Sequence, residues 1–250
     1  MSCRHARSTV ALAAFLLITP ATSALAGWQF DVETGAVLSG YNDVRIPGAG
    51  GTKFSLTDDL STEEASYLRG RLTYTFRQRH AFSVLVAPLR LKAEGSLEDS
   101  LRFAGETFAP GADLDGTYRF DSYRLTYRYD IHRGRNTKVG VGLTGKIRDA
   151  ETAIESADQS AKKTNTGFVP LLHGAFEWWF AERTSLLIVA DALAAPQGRA
   201  EDVLVAVRFE PVPPLAIRIG YRMLEGGADN DEVYTFALLH YFGLGFTLSF

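Results

Sequence analysis

EVYTFALLHYFGLGFTLSF, residues 232–250, closes the chain. Counted back two at a time from Phe250, one register holds Leu248, Phe246, Leu244, Phe242, His240, Leu238, Phe236 and Tyr234. The other holds Ser249, Thr247, Gly245, Gly243 and Tyr241. Side chains alternate across a strand with period two and wind around a helix with period 3.6, so this is strand patterning. One face is apolar and aromatic, the other small or polar.

The same alternation recurs backwards through the chain. The first strand, 28 to about 41, sets Trp28, Phe30, Val32, Thr34, Ala36 and Leu38 against Gln29, Asp31, Glu33 and Gly35. Further strands are expected at about 65–76, 81–95, 118–131, 137–149, 166–180, 184–195, 201–210 and 215–224, giving about ten with the closing one. The connections between them alternate. Long acidic ones (42–64, 95–117, 150–165, 225–231, and a shorter one at 196–200) are separated by short turns at 77–80, 131–136, 181–183 and 211–214. Gly, Pro and Asp runs such as Gly48-Ala49-Gly50-Gly51 and Asp58-Asp59 mark the long ones as loops.

The polar faces carry long charged side chains in mid-strand. The cations are Arg69, Arg71, Arg124, Arg128, Lys146, Arg148, Arg208, Arg218 and Arg222, and the anions are Asp31, Glu33, Asp130, Glu177 and Asp191. A soluble periplasmic sandwich or a lipocalin-like barrel also alternates. Charged residues on one face of most strands, with aromatics such as Trp28, Tyr74, Phe76, Tyr127, Tyr129, Trp178, Phe180 and Phe250 near strand ends, instead suit a barrel that is polar inside and meets lipid outside.

The N-terminus reads as an export signal. Arg4 and Arg7 precede an apolar run from Val10 to Ile18, too short to span a bilayer, and Ala24 and Ala26 supply the small-x-small pattern for cleavage after Ala26. Residues 1–26 are therefore expected to leave, with the single cysteine Cys3, and residues 27–250 to form one domain. Losing two basic residues and no acidic one moves the formal net charge from -3 to -5. That mild acidity gives no support for nucleic-acid binding.

Signal, loop asymmetry and C-terminal strand together resemble the small bacterial outer-membrane β-barrels over essentially the whole mature chain. The resemblance implies an all-β fold, an antiparallel up-and-down transmembrane β-barrel of about ten strands, with eight as the alternative. It implies a cell outer-membrane location, with outer-membrane lipid (lipopolysaccharide) and the barrel-assembly machinery as partners. Phe242, Leu244, Phe246, Leu248 and Phe250 would be the assembly signal.

A barrel of about eight strands is just filled by its side chains and one of about sixteen holds a channel, so ten lie near the filled end. Unpaired charge there costs several kcal/mol, roughly, so the mid-strand charges are expected to meet as an ion-pair network that plugs the lumen. The alternative is a narrow channel for small solutes, favouring anions because cations are in excess.

Some small barrels are enzymes. Omptin proteases are similar in strand count and use acidic pairs with a His and Asp at the outer rim; here Asp58-Asp59 lies in an outer loop, but no His is expected in one. Lipid A deacylases pair a lipid-facing His with a Ser two positions on. His240 sits in the lipid-facing register, but the position two on is Phe242, so an interfacial His bonded to a lipid headgroup is the expectation. His173 and Glu177 share an inward face about 13 Å apart. His80 and His132 fall in short turns, so no metal site, cofactor or catalytic residue is expected. The sequence therefore points to a structural or surface-interaction protein.

Overall fold

The computed structural model describes residues 26–250 except Gln197. The expected export segment, with Arg4, Arg7 and Cys3, lies outside the described residues apart from Ala26, which opens the first strand.

Ten antiparallel strands close into a barrel: β1 (Ala26–Arg45), β2 (Ala65–Phe76), β3 (His80–Ala87, resuming as Arg90–Gly95), β4 (Leu114–Arg133), β5 (Thr137–Glu155), β6 (Ser160–Ala181), β7 (Thr184–Ala195), β8 (Gly198–Val212), β9 (Leu215–Asp229) and β10 (Tyr234–Ser249). Each pairs with its neighbours in sequence. β10 closes the ring on β1 from Gln29 opposite Ser249 to Arg45 opposite Tyr234. At the terminus Trp28 N donates to Phe250 O at 2.7 Å and Phe250 N donates to Trp28 O at 2.8 Å. Closure of the ring pairs strand backbones around the whole wall below the longer hairpin arms, which is why a closed barrel can sit in a bilayer.

The outer face is apolar. Phe30, Leu68, Leu125, Leu143, Leu172, Ile219 and Phe246 all project from the wall, Leu143 being 62% exposed. Such a continuous exposed belt is what lipid covers and water does not. Rings cluster at the end that carries the termini and the short turns. Trp28 packs on Tyr74 (4.7 Å between centroids), Phe76 on His80 (4.9 Å) and Phe82 on Tyr127 (5.1 Å). His80 is thus part of this belt, its Nδ1 2.8 Å from Tyr127 Oη, rather than a plain turn residue.

At the opposite end the strands outrun their expected lengths. The 150–165 stretch, expected as polar loop, is a hairpin arm: β5 and β6 pair as far as Glu155 opposite Ser160, and Ile154 is fully buried inside it. Likewise Glu225–Asp229 belongs to β9. The acids of these segments lie in the outward registers, while the inward registers hold Thr152, Ile154 and Ala161, all buried. The 95–117 segment is a hairpin extension. Arg90–Gly95 pairs with Leu114–Arg119, and between them Leu101–Phe103 pairs with Glu106–Phe108.

The long segment after β1 folds back over the mouth. Phe54, Leu56 and Leu60 pack with Leu101, Phe103 and Phe108 against Leu91, Leu114 and Ile154, with Phe54 edge-on to Phe103 at 5.9 Å. At its surface Lys53 Nζ lies 2.9 Å from Asp43, a hydrogen bond that raises the Lys53 pKa above its ordinary value. The outer mouth therefore holds its own hydrophobic core.

One irregularity decides what faces inward. The β1–β10 register slips between Ser39 and Tyr41, leaving Gly40 as a bulge. Before it the buried positions of β1 are odd (Glu33, Val37); beyond it they are even (Asn42, Val44). A one-residue insertion turns every later side chain to the other face.

Candidate functional site

Parity puts the mid-strand charges inside, and the structure divides them among separate groups. The central group is built around Glu33, Asp202 and Asp191. Arg222 (β9) donates to Glu33 through Nε at 2.9 Å and Nη2 at 2.8 Å, and also to Asp202. Arg218 donates to Glu33 at 2.8 Å and to Asp31 at 2.8 Å. Asp202 (β8) takes Arg69 of β2 at 3.1 Å and pairs with Arg124 of β4 at 2.6 Å. Arg124 also donates to Asp191 at 3.0 Å, and Asp191 in turn lies 2.8 Å from His173 Nδ1 and accepts from Thr144 at 2.8 Å. This layer joins β1, β2, β4, β5, β6, β7, β8 and β9 across the lumen.

Nearer the termini lie two smaller groups. Asp130 is ringed by Arg128 (3.0 Å), Lys138 (3.2 Å) and Arg133 (3.8 Å). Glu177 accepts from Arg208 at 3.1 Å and from Ser185 at 2.8 Å, and Arg208 also reaches Glu210. His173 and Glu177 accordingly have different partners. Arg71 of β2 stands opposite Asp31 of β1 but makes no ion pair among the described residues.

Asp202, 3% exposed, is the residue that reading the sequence missed. Its parity with Arg208 and Glu210 was the available signal, at the first inward position of the expected eighth strand. It is central because it neutralises arginines from three strands at once.

Two residues of the closing strand make this layer possible. A side chain on Gly245 would collide with the Arg218 guanidinium, whose atoms stand 2.3–2.6 Å from the Cβ position, and one on Gly243 would meet the Tyr67 hydroxyl at 2.0 Å. Tyr67 stacks edge-on to Tyr241 at 4.9 Å and donates to Glu33 at 3.3 Å. The small register of 232–250 is thus room for large lumen side chains from other strands.

On the outer wall, His240 Nδ1 lies 2.7 Å from the Tyr221 hydroxyl, and its ring sits over Gly40. Nδ1 is thus engaged by a tyrosine of the neighbouring strand β9. Phe242, Leu244, Phe246, Leu248 and Phe250 all project outward on the same strand.

Above the central layer lies a cavity of about 430 Å³, bordered by Asn42, Tyr118, Phe120, Lys146, Arg148 and Leu224 among others. Lys146 is 4% exposed and makes no ion pair among the described residues; its Nζ stands 4.7 Å from the Phe120 ring centroid. Arg148 donates to Asn165. No group of three or more His, Cys, Asp or Glu placed to hold a metal occurs among the described residues.

No family model matches the chain, and no curated protein does. Solved structures do. The outer membrane protease OmpT of Escherichia coli superposes with a TM-score of 0.58 at 8% identity, over 90% of this chain and 97% of that one. Ail, the attachment invasion locus protein of Yersinia pestis, matches at 0.41 and 14% identity over 88% and 99%. Neisserial surface protein A matches at 0.34 and 13% identity over 88% and 97%. At 8% identity the OmpT likeness is one of fold: the chain is a closed ten-stranded barrel of the outer-membrane type.

Proposed function

We propose that this protein is an integral outer-membrane barrel whose lumen is closed by its ion-pair layer, and whose role is structural or one of surface interaction at the outer cap. The observation that carries this is Asp202, which meets Arg69, Arg124 and Arg222 from three different strands and so ties the walls together across the middle of the lumen. Lipopolysaccharide around the apolar belt and the assembly machinery at the C-terminal strand are the partners this reading requires. Planar-bilayer recording is the test: silence is expected, and discrete reproducible openings would sink the closed-lumen reading.

A second reading, a narrow anion-preferring channel, draws on the charge balance. Arg69, Arg71, Arg124, Lys146, Arg218 and Arg222 face Asp31, Glu33, Asp191 and Asp202, an excess of cations over carboxylates in the central lumen. Anion-selective openings in the same recording would establish it.

We place the chain outside the enzymes. Its histidines in the described residues sit in the ring belt (His80), at the end of β4 (His132), in the central layer (His173) and on the outer wall (His240), none beside Asp58 or Asp59. Lipid A mass spectrometry from cells with and without the protein tests this; a modified species present in one arm alone would overturn it.

A further inference from the structure

The barrel wall is uneven on one side. β6 pairs with β7 from Leu172 opposite Ala192 downward. Above Leu172, β6 continues for twelve residues to Ser160, while β7 continues for three to Ala195. The β7–β8 hairpin is therefore much shorter than the β5–β6 hairpin beside it, and among the described residues the upper part of β6 has a paired strand only on its β5 side. Pro170, which has no N–H to offer a neighbour, sits on this stretch, where an unpaired edge tolerates it.

This notch is where the cavity reaches the outside. Its border runs from Lys146, Arg148 and Asn42 inside to Phe168 and Pro170 on the outward side of β6. Phe168 is 70% exposed and lies at the upper end of the apolar belt, opposite Ile147. The border thus includes the outward side of β6 at the upper end of the apolar belt, and not only residues beneath the cap.

The inner lining has one electrostatic sign. Lys146 is buried without an ion pair among the described residues, because the nearby central carboxylates Asp191 and Asp202 are already taken by Arg124, Arg69 and Arg222. Arg148 Nε and both polar atoms of the Asn42 side chain, which is 1% exposed, have no hydrogen-bond partner among the described residues. The two bordering carboxylates, Glu151 and Glu225, belong to the outward registers of β5 and β9, and Glu225 is held by Arg199 at 2.8 Å. A buried cation and an amide with unfilled bonding capacity are costly unless something compensates them. Around them the lining is apolar and aromatic: Tyr118, Phe120, Leu193 and Leu224. The volume falls within the range of about 300–1,000 Å³ usual for small-molecule sites.

We propose that this cavity binds an anionic amphiphile: a carboxylate or phosphate head received by Lys146, Arg148 and Asn42, and an apolar body lying along the aromatic lining toward the notch. The head satisfies donors the protein leaves open, and the notch admits a molecule already dissolved in the outer leaflet. The central layer is the floor, so the ligand enters and leaves by the same side. The site stands on the cavity's own geometry, so bilayer recording and this binding test fail separately.

The test is native mass spectrometry of the full barrel in a neutral maltoside detergent, titrated with dodecanoate, dodecyl phosphate, dodecyltrimethylammonium, acetate and inorganic phosphate. Saturable one-to-one binding is expected for dodecanoate, dodecyl phosphate or both, and the stronger of the two identifies the head. Removing a charge-assisted contact should weaken it roughly tenfold or more in Lys146→Met. Ala200→Trp, which fills the cavity border without altering a charge, should weaken it as well. Heat-modifiable gel migration verifies that both variants fold. Equal binding of the ammonium amphiphile, equal binding of acetate or inorganic phosphate, or affinity unchanged in both variants would each overturn the proposal.

Discussion

Arg124 and Asp202 belong to β4 and β8, four strands apart around the wall, yet their charged groups meet at 2.6 Å. Arg69 of β2 reaches the same carboxylate from the other direction. One aspartate thus bridges the lumen both ways. Removing one member of a buried, hydrogen-bonded charge group leaves the others uncompensated, at a cost of about 3–5 kcal/mol. Asp202→Asn should accordingly lower the temperature at which the folded gel band converts to the unfolded one. A band that converts at the wild-type temperature would show that the layer contributes little to stability.

The same layer should decide conductance. In the triple variant Arg69→Ala, Arg124→Ala, Arg222→Ala the cross-lumen contacts of Asp202 are lost, while Glu33, Asp191 and Asp202 remain. Openings should then appear in planar bilayers with selectivity shifted toward cations, because three cations are removed and every carboxylate stays. A folded triple variant that stays silent would place the obstruction elsewhere, in the outer cap.

Gly243 and Gly245 are expected to resist substitution more than their exposure suggests. An alanine at 245 displaces the Arg218 guanidinium, and one at 243 strikes both Tyr67 and the Thr34 carbonyl, 2.6 Å from the Cβ position. Overpacking of this kind costs about 1–3 kcal/mol. Urea unfolding from lipid vesicles should show both variants destabilised, with Gly243→Ala the worse because backbone cannot swing away as a side chain can.

Gly40 and His240 should behave as one unit. The histidine Nε2 lies 2.6 Å from where a Gly40 side chain would begin, and Nδ1 bonds Tyr221. Gly40→Ala and His240→Ala should each destabilise the barrel by about 1 kcal/mol, and the double variant by less than the sum, since contacting residues couple. Additive effects in the double-mutant cycle would count against the packing described here.

Deleting Phe250 removes both terminal hydrogen bonds to Trp28. If the terminal aromatic is an assembly signal, the deletion should sharply lower the folded barrel recovered from cells, while the purified chain still refolds into detergent. Equal loss in cells and in detergent would make Phe250 a stability residue instead.

Period-two alternation is a local property, and it carried the fold. The registers of 232–250 and of the nine earlier strands assign which side chains meet lipid and which point inward, with Arg69, Arg124, Lys146, Arg218 and Arg222 all inside. Strand ends were less legible. In segments such as 150–165 an acidic outward side masks a buried inward side that includes Ile154. Only the closed barrel decided which charges meet. Contacts across a lumen depend on strand number, tilt and register around the whole ring, so no spacing along the chain reveals that Asp202 holds three arginines. The bulge at Gly40, which turns Asn42 inward, depends on pairing with β10 some two hundred residues away. The cavity depends on two neighbouring hairpins of unequal height. Sequence fixes faces because side-chain direction is set residue by residue; partners wait for the ring to close.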